Sequence, residues 1–295
     1  MTADLRATAL RWQAAGKPAV VVEVLSSRGS VPREAGTRML VAGDAVAGTI
    51  GGGHLELQAI ADARLLLSQG ENADRRQHIA LGPSLGQCCG GVLDLGFTGL
   101  AGIDLDDTDA WPLEPPLFTL QLYGAGHVGR AIVKLLATLH CQVSWIDERE
   151  EQFPQAPALP PHIQQVCVEP VTAEVASAPA GCCYLVLTHS HDLDLALATA
   201  ILKRRDVAWF GLIGSRTKRA RFESRLRQRG VDQTRLQTMV CPIGLPGIEG
   251  KQPEVIAVAV VAQLLLRCAG PAAPRASVKS HDGRGHEGSD FPLTC

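Results

Sequence analysis

The 295-residue sequence lacks an excess of charge of either sign: 28 lysines and arginines stand against 30 aspartates and glutamates, for a formal net charge of −2. Nucleic acids and anionic membrane surfaces attract proteins through extended basic patches, so this balance excludes both as partners. No apolar run reaches the ~18 residues that a membrane-spanning helix needs. Because 46% of the residues are nevertheless hydrophobic, we expect a soluble protein with a sizeable core.

The sequence also lacks the features of an exported protein. Residues 1–6 contain an early acid and do not resemble the charged and then apolar segments of a signal peptide. The nine cysteines are odd in number and follow no regular spacing, which is atypical of a disulfide framework. We therefore expect a cytoplasmic protein with free thiols.

Four segments of different pattern predict the domain organisation. Helical and extended patterns mix over residues 1–100, which indicates a smaller N-terminal mixed α/β domain. Asp, Pro and Gly accumulate over residues 101–116, as in an interdomain linker. Strand and helix alternate over residues 117–268, which predicts βαβ units in a parallel sheet. Residues 269–295 are rich in Gly, Pro, Ser, Arg and His, and we expect this tail to be disordered.

A glycine motif, Gly124-x-Gly126-x-x-Gly129, follows an apolar strand and opens a helix. This context is typical of a dinucleotide-binding turn and predicts a Rossmann-like domain. Gly124 would make the turn, Gly126 would let a phosphate approach the backbone, and Gly129 would allow close helix packing. Asp147, at the end of the next strand, could accept a hydrogen bond from a ribose hydroxyl. The same glycines would also serve a sheet that binds no nicotinamide cofactor.

A second glycine-rich region carries adjacent cysteines, Cys88 and Cys89, in a loop. Adjacent cysteines rarely ligate one zinc ion together and no second CxxC pair follows, so a single reactive thiol is the better interpretation. A thiolate near backbone N–H groups can act as a nucleophile, a persulfide carrier or a soft-metal ligand. The alternative is an ordinary thiol in a turn. Cys182 and Cys183, in contrast, begin an apolar strand and are expected to pack in the core.

A polar segment follows one strand of the predicted parallel sheet, at the edge where α/β proteins place their ligands. His189 and His191 in this segment could bind a metal or move protons. The neighbouring Ser190 or Asp192 could equally cap the next helix, with Asp194 in its first turn. The sequence leaves both interpretations open.

A basic segment follows the next strand in the same way. Ser215 is expected to cap a helix, and Arg216 and Lys218 are expected to contact an anion such as phosphate. For residues 219–229 a solvated basic helix face is the better interpretation.

Taken together and in order, these motifs over residues 20–266 resemble the XdhC family of xanthine dehydrogenase accessory proteins. The segments that carry the resemblance, besides the Rossmann glycines, are Gly29-Ser30-Val31-Pro32-Arg33, Gly36-Thr37-Arg38-Met39, residues 48–56 with Gly51-Gly52-Gly53-His54, Cys89-Gly90-Gly91, Thr188-His189-Ser190-His191-Asp192, Ile213-Gly214-Ser215-Arg216 and Pro242-Ile243-Gly244-Leu245.

The resemblance implies a chaperone that binds molybdenum cofactor (molybdopterin). Such a protein supports sulfuration of the cofactor with a cysteine desulfurase, protects it, and delivers it to xanthine dehydrogenase. A soft thiol suits the molybdenum end of the cofactor, so Cys88 and Cys89 are the expected catalytic residues and metal ligands. The complete expected cofactor site is Gly52, Gly53, His54, Gln87, Cys88, Cys89, Gly124, Gly126, Gly129, Asp147, His189, His191, Ser215 and Arg216.

Two other classes of function stay open. An NAD(P)-dependent oxidoreductase would use the Rossmann-like domain, although the sequence contains no strong hydride-transfer machinery. A structural adaptor would bind neither ligand. We expect a chaperone rather than a catalyst, acting as a homodimer.

Overall fold

The computed structural model describes residues 5–70, 74–81, 90–109, 111–112, 115–156 and 158–268. They form two compact units, one spanning Thr8–Ile103 and the other starting at Asp104. No helix among the described residues is long and apolar enough to cross a membrane. The predicted disordered tail and the loop residues Gln87, Cys88 and Cys89 lie outside the described residues.

The N-terminal unit contains a five-stranded antiparallel sheet. Its elements, with the helix that precedes them, are α1 (Leu5–Ala14), β1 (Ala19–Arg28), β2 (Arg38–Ala42), β3 (Val46–Gly48), α2 (Gly53–Gln69), β4 (Arg75–Ala80) and β5 (Val92–Gly99). The strand order is β3-β2-β1-β5-β4.

Alternation along the central strand explains why α2 packs on this sheet. Val20, Val22 and Val24 point to the same face of β1 because side chains alternate in a strand. They share one apolar core with Leu55 and Ala59, one helical turn apart on α2. β4 and β5 pair as neighbours, so the segment between them, which contains the cysteine loop, joins two antiparallel strands.

The second unit contains a six-stranded sheet whose strands are all parallel. Its strands are β6 (Thr119–Tyr123), β7 (Gln142–Asp147), β8 (Ile163–Cys167), β9 (Cys183–Val186), β10 (Trp209–Leu212) and β11 (Met239–Val240). Its helices are α3 (His127–Leu136), α4 (Glu174–Ser177), α5 (His191–Lys203), α6 (Arg216–Gln228), α7 (Gln233–Thr238) and α8 (Pro253–Cys268).

The strand order β11-β10-β9-β6-β7-β8 is that of a Rossmann fold. The chain runs outward from β6 to β8 and then returns to β9, beside β6, before running outward in the other direction. Ligands of such sheets bind at the carboxyl ends of the strands where this direction reverses. The prediction of an α/β protein with a Rossmann-like domain and a smaller mixed N-terminal domain is confirmed.

Both faces of the parallel sheet are covered, as expected for parallel strands. Leu120 and Leu122 of β6 belong to a core that includes residues of α3 and α8, whereas Tyr123 belongs to the core on the α5 side. α8 buries Val260 and Leu264 but leaves Leu266 70% exposed. This very apolar helix is therefore buried along one face only.

Candidate functional site

The glycine motif makes the tight turn between β6 and α3. Gly124 has a φ of 120°, and a Cβ there would lie 2.4 Å from the carbonyl oxygen of Leu187, so only glycine fits. A Cβ on Gly129 would lie 2.1 Å from the carbonyl oxygen of Gly124, which shows how closely α3 packs on the turn. Gly126 differs, because no described atom lies within 4 Å of its Cβ position. The start of α3 is therefore open at Gly126.

Asp147, at the end of β7, holds this turn in place. Its Oδ2 accepts hydrogen bonds from the Ala125 amide at 2.7 Å and from Nη2 of Arg149 at 2.9 Å. Its Oδ1 accepts from the amide and the Nε of Arg149, at 3.0 and 2.9 Å. Burial disfavours the charged carboxylate, but these donors outweigh it and hold the pKa of Asp147 below its usual range. The carboxylate predicted to face a ribose hydroxyl therefore already has protein donors on both oxygens.

The depression at the point where the strand order reverses is small. Its volume is about 10 Å³, close to the space of one water molecule. Glu148 and His189 stand at this depression, with 3.6 Å between the carboxylate Oε1 and the imidazole Nε2. The residues that line it are Tyr123, Gly124, Ile146, Asp147, Glu148, Val171, Thr188, His189 and Leu193.

The segment after β9 caps a helix. The Ser190 side chain accepts a hydrogen bond from the Leu193 amide at 3.4 Å and is the N-cap of α5. His191, the first residue of that helix, is exposed. Within the ranges that the structure describes, no group of three or more His, Cys, Asp or Glu side chains could hold a metal ion. The cap interpretation is therefore confirmed for Ser190, whereas a ligand at the two histidines stays a prediction.

A buried ion pair links this segment to the next helix. Asp194 is 1% exposed, and its Oδ2 lies 2.6 Å from Nζ of Lys218 in α6. Its Oδ1 accepts from the Thr188 hydroxyl at 2.7 Å, and Lys218 also donates to the Ile213 carbonyl at 2.8 Å. Lys218 is thus neutralised inside the protein, and the expectation that it would meet an external anion is wrong.

The glycine run before α2 folds around a carboxylate of the chain itself. Oε2 of Glu56 accepts hydrogen bonds from the amides of Ile50 and Gly52, both at 3.1 Å, and from the Thr49 hydroxyl. Gly52 has a φ of 76° and an open Cβ position, and His54 is exposed in the first turn of α2. Glu56 therefore occupies the anion-binding position that these amides would otherwise offer.

The segment with Gly29 and Pro32 contacts two other glycine motifs that are far from it in sequence. The Gly91 amide donates to the carbonyl of Ser30 at 3.1 Å, and a Cβ on Gly29 would lie 3.2 Å from the Gly91 Cα. A Cβ on Gly51 would lie 2.5 Å from the Cβ of Pro32. The Leu81 amide also donates to the Gly91 carbonyl at 2.8 Å. The described residues that flank the segment with Gln87, Cys88 and Cys89, which itself lies outside the described residues, are thus bonded to each other.

The cysteines that the structure describes in the core are not candidate nucleophiles. Cys182 and Cys183 are each 1% exposed, which confirms that they pack in the core. Burial raises the pKa of Cys182 and of Cys141 to about 11, and it also raises the pKa of Cys241. These thiols are therefore protonated at neutral pH.

Ser215 and Arg216 stand at the second predicted anion site. Ser215 accepts a hydrogen bond from the Lys218 amide at 3.2 Å and is the N-cap of α6, as expected. Arg216 borders a cavity of about 710 Å³, which we call the arginine cleft. Its lining residues are Arg216, Arg219, Gln237, Met239, Val240, Cys241, Pro242, Gly244, Leu245, Pro246, Gln263, Leu266 and Arg267.

Several residues of these sites were not anticipated from sequence. Arg219 was assigned to a solvated helix face, but it lines the cleft and donates to the Cys241 carbonyl at 3.2 Å. Its position three residues after Arg216, on the same helix face, was the available signal. The sequence shows Glu56 as part of a family motif but does not predict its hydrogen bonds to the glycine run. No sequence pattern places Arg267 at the cleft, because packing of distant segments brings it there.

Comparisons with known proteins agree with this architecture. The model of the XdhC Rossmann domain matches residues 120–264, and that of the XdhC and CoxI family matches residues 12–79. The Escherichia coli (strain K12) protein YqeB, described as uncharacterized, is 28% identical over 253 residues. That match covers 84% of this chain but only 43% of YqeB, so the chain spans less than half of that relative's length.

A solved structure has the same fold. It is a Bacillus halodurans protein described as a xanthine dehydrogenase, 18% identical in sequence, with a TM-score of 0.70. The match covers 92% of this chain and 98% of the other. With both family models matched in their order along the sequence, the chain is a member of the XdhC family.

Proposed function

We propose that this chain acts in the maturation of xanthine dehydrogenase, by binding molybdenum cofactor, supporting its sulfuration and delivering the sulfurated form to the enzyme. The observation that carries the proposal is the close contact of Gly91, which follows the loop that bears Cys88 and Cys89, with Gly29 and Ser30. These contacts restrict the backbone where the described chain resumes after the loop. Membership of the XdhC family supports the proposal.

Each unit, taken by itself, contains residues that suit one part of such a cofactor. The cofactor supplies the molybdenum chemistry when it is bound. Cys88 or Cys89 would offer a soft sulfur to its metal end and could carry the sulfur that a cysteine desulfurase provides. Gly126 at the start of α3, or Arg216 at the start of α6, would hold its phosphate end.

Nicotinamide binding is the rival function, and the Rossmann strand order favours it. The contacts of Asp147 argue against it, because a ribose hydroxyl would have to compete with the Ala125 amide and Arg149 for the carboxylate. We therefore favour a cofactor chaperone over an oxidoreductase, working as a homodimer with xanthine dehydrogenase and a cysteine desulfurase as partners.

Ligand analysis of the isolated protein tests the proposal. The full chain would be purified from cells that make molybdenum cofactor and, as a control, from cells blocked in its synthesis. Molybdenum would be measured by elemental analysis, and the pterin by its fluorescence after oxidation. We expect both only in the first preparation. Tight NAD(H) binding without pterin would support the oxidoreductase, and neither ligand would support an adaptor.

A further inference from the structure

The arginine cleft is a preformed cavity within the parallel-sheet unit. Its volume of about 710 Å³ lies inside the range of roughly 300–1,000 Å³ that is typical of small-molecule sites. The first turn of α6 contributes Arg216 and Arg219 to its lining, and the end of α8 contributes Leu266 and Arg267. The cavity is therefore large enough for a ligand of cofactor size.

Hydrogen bonds fix the part of the cleft that follows β11. The Gln263 side chain, which is 8% exposed, accepts from the Gly244 amide at 3.0 Å and donates to the Gly244 carbonyl at 3.1 Å. The Leu245 amide donates to the carbonyl of Ala259 at 3.2 Å. Both contacts tie the segment to α8, so this wall needs no rearrangement to receive a ligand.

The charged residues that line the cleft are all basic. Arg216, Arg219 and Arg267 line it, and the described lining residues include no Asp or Glu. Arg219 is paired with Glu223, at 2.8 Å between Nε and Oε1. The guanidinium groups of Arg216 and Arg267 form no hydrogen bond or ion pair with another described residue. Two guanidinium groups are thus available to an anion, and the N-terminus of α6 adds the favourable end of a helix dipole.

The rest of the lining is largely apolar. Val240, Pro242, Leu245, Pro246 and Leu266 supply this surface. A free inorganic anion would leave it uncovered, whereas a ligand with an apolar body and one phosphate would use both kinds of wall. The chemistry of the cleft therefore favours a phosphate monoester with an apolar body.

The glycine turn is the competing position for a phosphate, and its geometry is less favourable. The depression beside it holds about 10 Å³, and Asp147 and Glu148 line it. The Ala125 amide is already bonded to Asp147. The arginine cleft is larger than this depression and is lined by basic rather than acidic side chains, so it is the more favourable phosphate site.

We infer that the arginine cleft, rather than the glycine turn, is the phosphate-binding site of this chain, with Arg216 and Arg267 as the residues that contact the phosphate. The site takes a phosphate monoester with a largely apolar body. The inference rests on the proposed function only in identifying that ligand as the pterin cofactor, and the cleft itself is testable with an unrelated phosphate ester.

The first experiment uses riboflavin 5′-phosphate and riboflavin, which differ only in the phosphate, and follows fluorescence anisotropy with the full chain. We expect tighter binding of the phosphate ester, and a loss of roughly tenfold or more in Arg216→Ala and in Arg267→Ala, as expected for a charged hydrogen bond. Arg221→Ala is the matched control, because Arg221 is exposed on the same helix and does not line the cleft. Equal binding of the two flavins, or equal affinity in all variants, would overturn the inference.

The second experiment separates this inference from the proposed function. The wild-type chain, the Arg216→Ala/Arg267→Ala double variant, Arg221→Ala and Gly126→Val would each be purified from cells that make molybdenum cofactor, after thermal unfolding shows that each is folded. We expect pterin to be lost from the double variant alone. Pterin retained there but lost from Gly126→Val would place the phosphate at the glycine turn and overturn the inference, while the proposed function would stand. A wild-type chain without pterin would overturn the proposed function, and the flavin comparison would still decide on the cleft.

Discussion

The carboxylate of Asp194 and the ammonium of Lys218 form an ion pair of 2.6 Å, in which the two side chains are only 1% and 12% exposed. The pair joins the start of α5 to the first turn of α6, beside the carboxyl ends of β9 and β10. Because Asp194 also accepts from the Thr188 hydroxyl, the contact orders two of the loops that border the ligand edge of the sheet.

Breaking this pair should strongly destabilise the protein. Lys218→Met leaves the Asp194 carboxylate buried without its cation, and such changes cost about 3–5 kcal/mol of unfolding free energy. Urea denaturation measures the loss. The double variant Asp194→Asn/Lys218→Met should recover a large part of it, because no buried charge remains. Asp192→Asn, which changes a side chain that is 93% exposed, is the control and should not shift the transition. Equal stability of Lys218→Met and wild type would show that the pair contributes nothing.

The two glycines at the start of α3 should respond differently to the same substitution. Gly129→Ala places a Cβ 2.1 Å from the Gly124 carbonyl oxygen and should cost at least about 1–3 kcal/mol through overpacking. Gly126→Ala has an open Cβ position and an ordinary φ of −70°, so it meets no clash and should cost at most about 1 kcal/mol, because alanine is a poorer helix N-cap than glycine. The melting temperatures of the two variants and of the wild type, measured by thermal unfolding, check this prediction. A stable Gly129→Ala would mean that the turn and the helix can separate at little cost.

Asp147 should make stability depend on pH in the acid range. Its folded-state pKa is lowered, so its contribution is complete above the ordinary carboxyl pKa of about 3.9 and is lost as the pH falls through the lower folded value. The difference in unfolding free energy between wild type and Asp147→Asn should therefore be largest near neutral pH and shrink below about pH 4. Denaturant titrations at several pH values measure it, with the exposed Asp109→Asn as control. A difference that does not vary with pH would contradict the ionised Asp147–Arg149 contact.

The cysteine loop should be needed for sulfuration and not for folding. Replacing Cys88 and Cys89 together by Ala should leave the melting temperature unchanged but reduce the sulfurated cofactor that the chain passes to xanthine dehydrogenase. Reconstituted enzyme activity with a cysteine desulfurase present measures the transfer. Cys167→Ala removes an exposed thiol on β8, outside the cysteine loop, and it should transfer normally. Full transfer by the double variant would remove both loop cysteines from the site.

Several elements were predictable because the signal was local. The glycine spacing after an apolar strand predicted the turn at Gly124. Ser215 was recognisable as a helix cap from its place after a strand. In contrast, β11 has two residues and α7 has six, which is too short for a periodic pattern to mark them. The arginine cleft depends on both, so its position could not be predicted.

The sequence by itself determined the two-part α/β architecture, the glycine turn and the likeness to the XdhC family, because periodicity, backbone restriction and motif order are properties of neighbouring residues. Only the tertiary structure decided which charged side chains are paired within the protein and which can contact a ligand. It buried Lys218 against Asp194, bonded Asp147 to the turn and Glu56 to the loop before α2, and left Arg216 and Arg267 facing an open cleft. The reason is physical: whether a charged side chain meets a ligand or a protein partner depends on residues far along the chain, which packing brings within hydrogen-bonding distance.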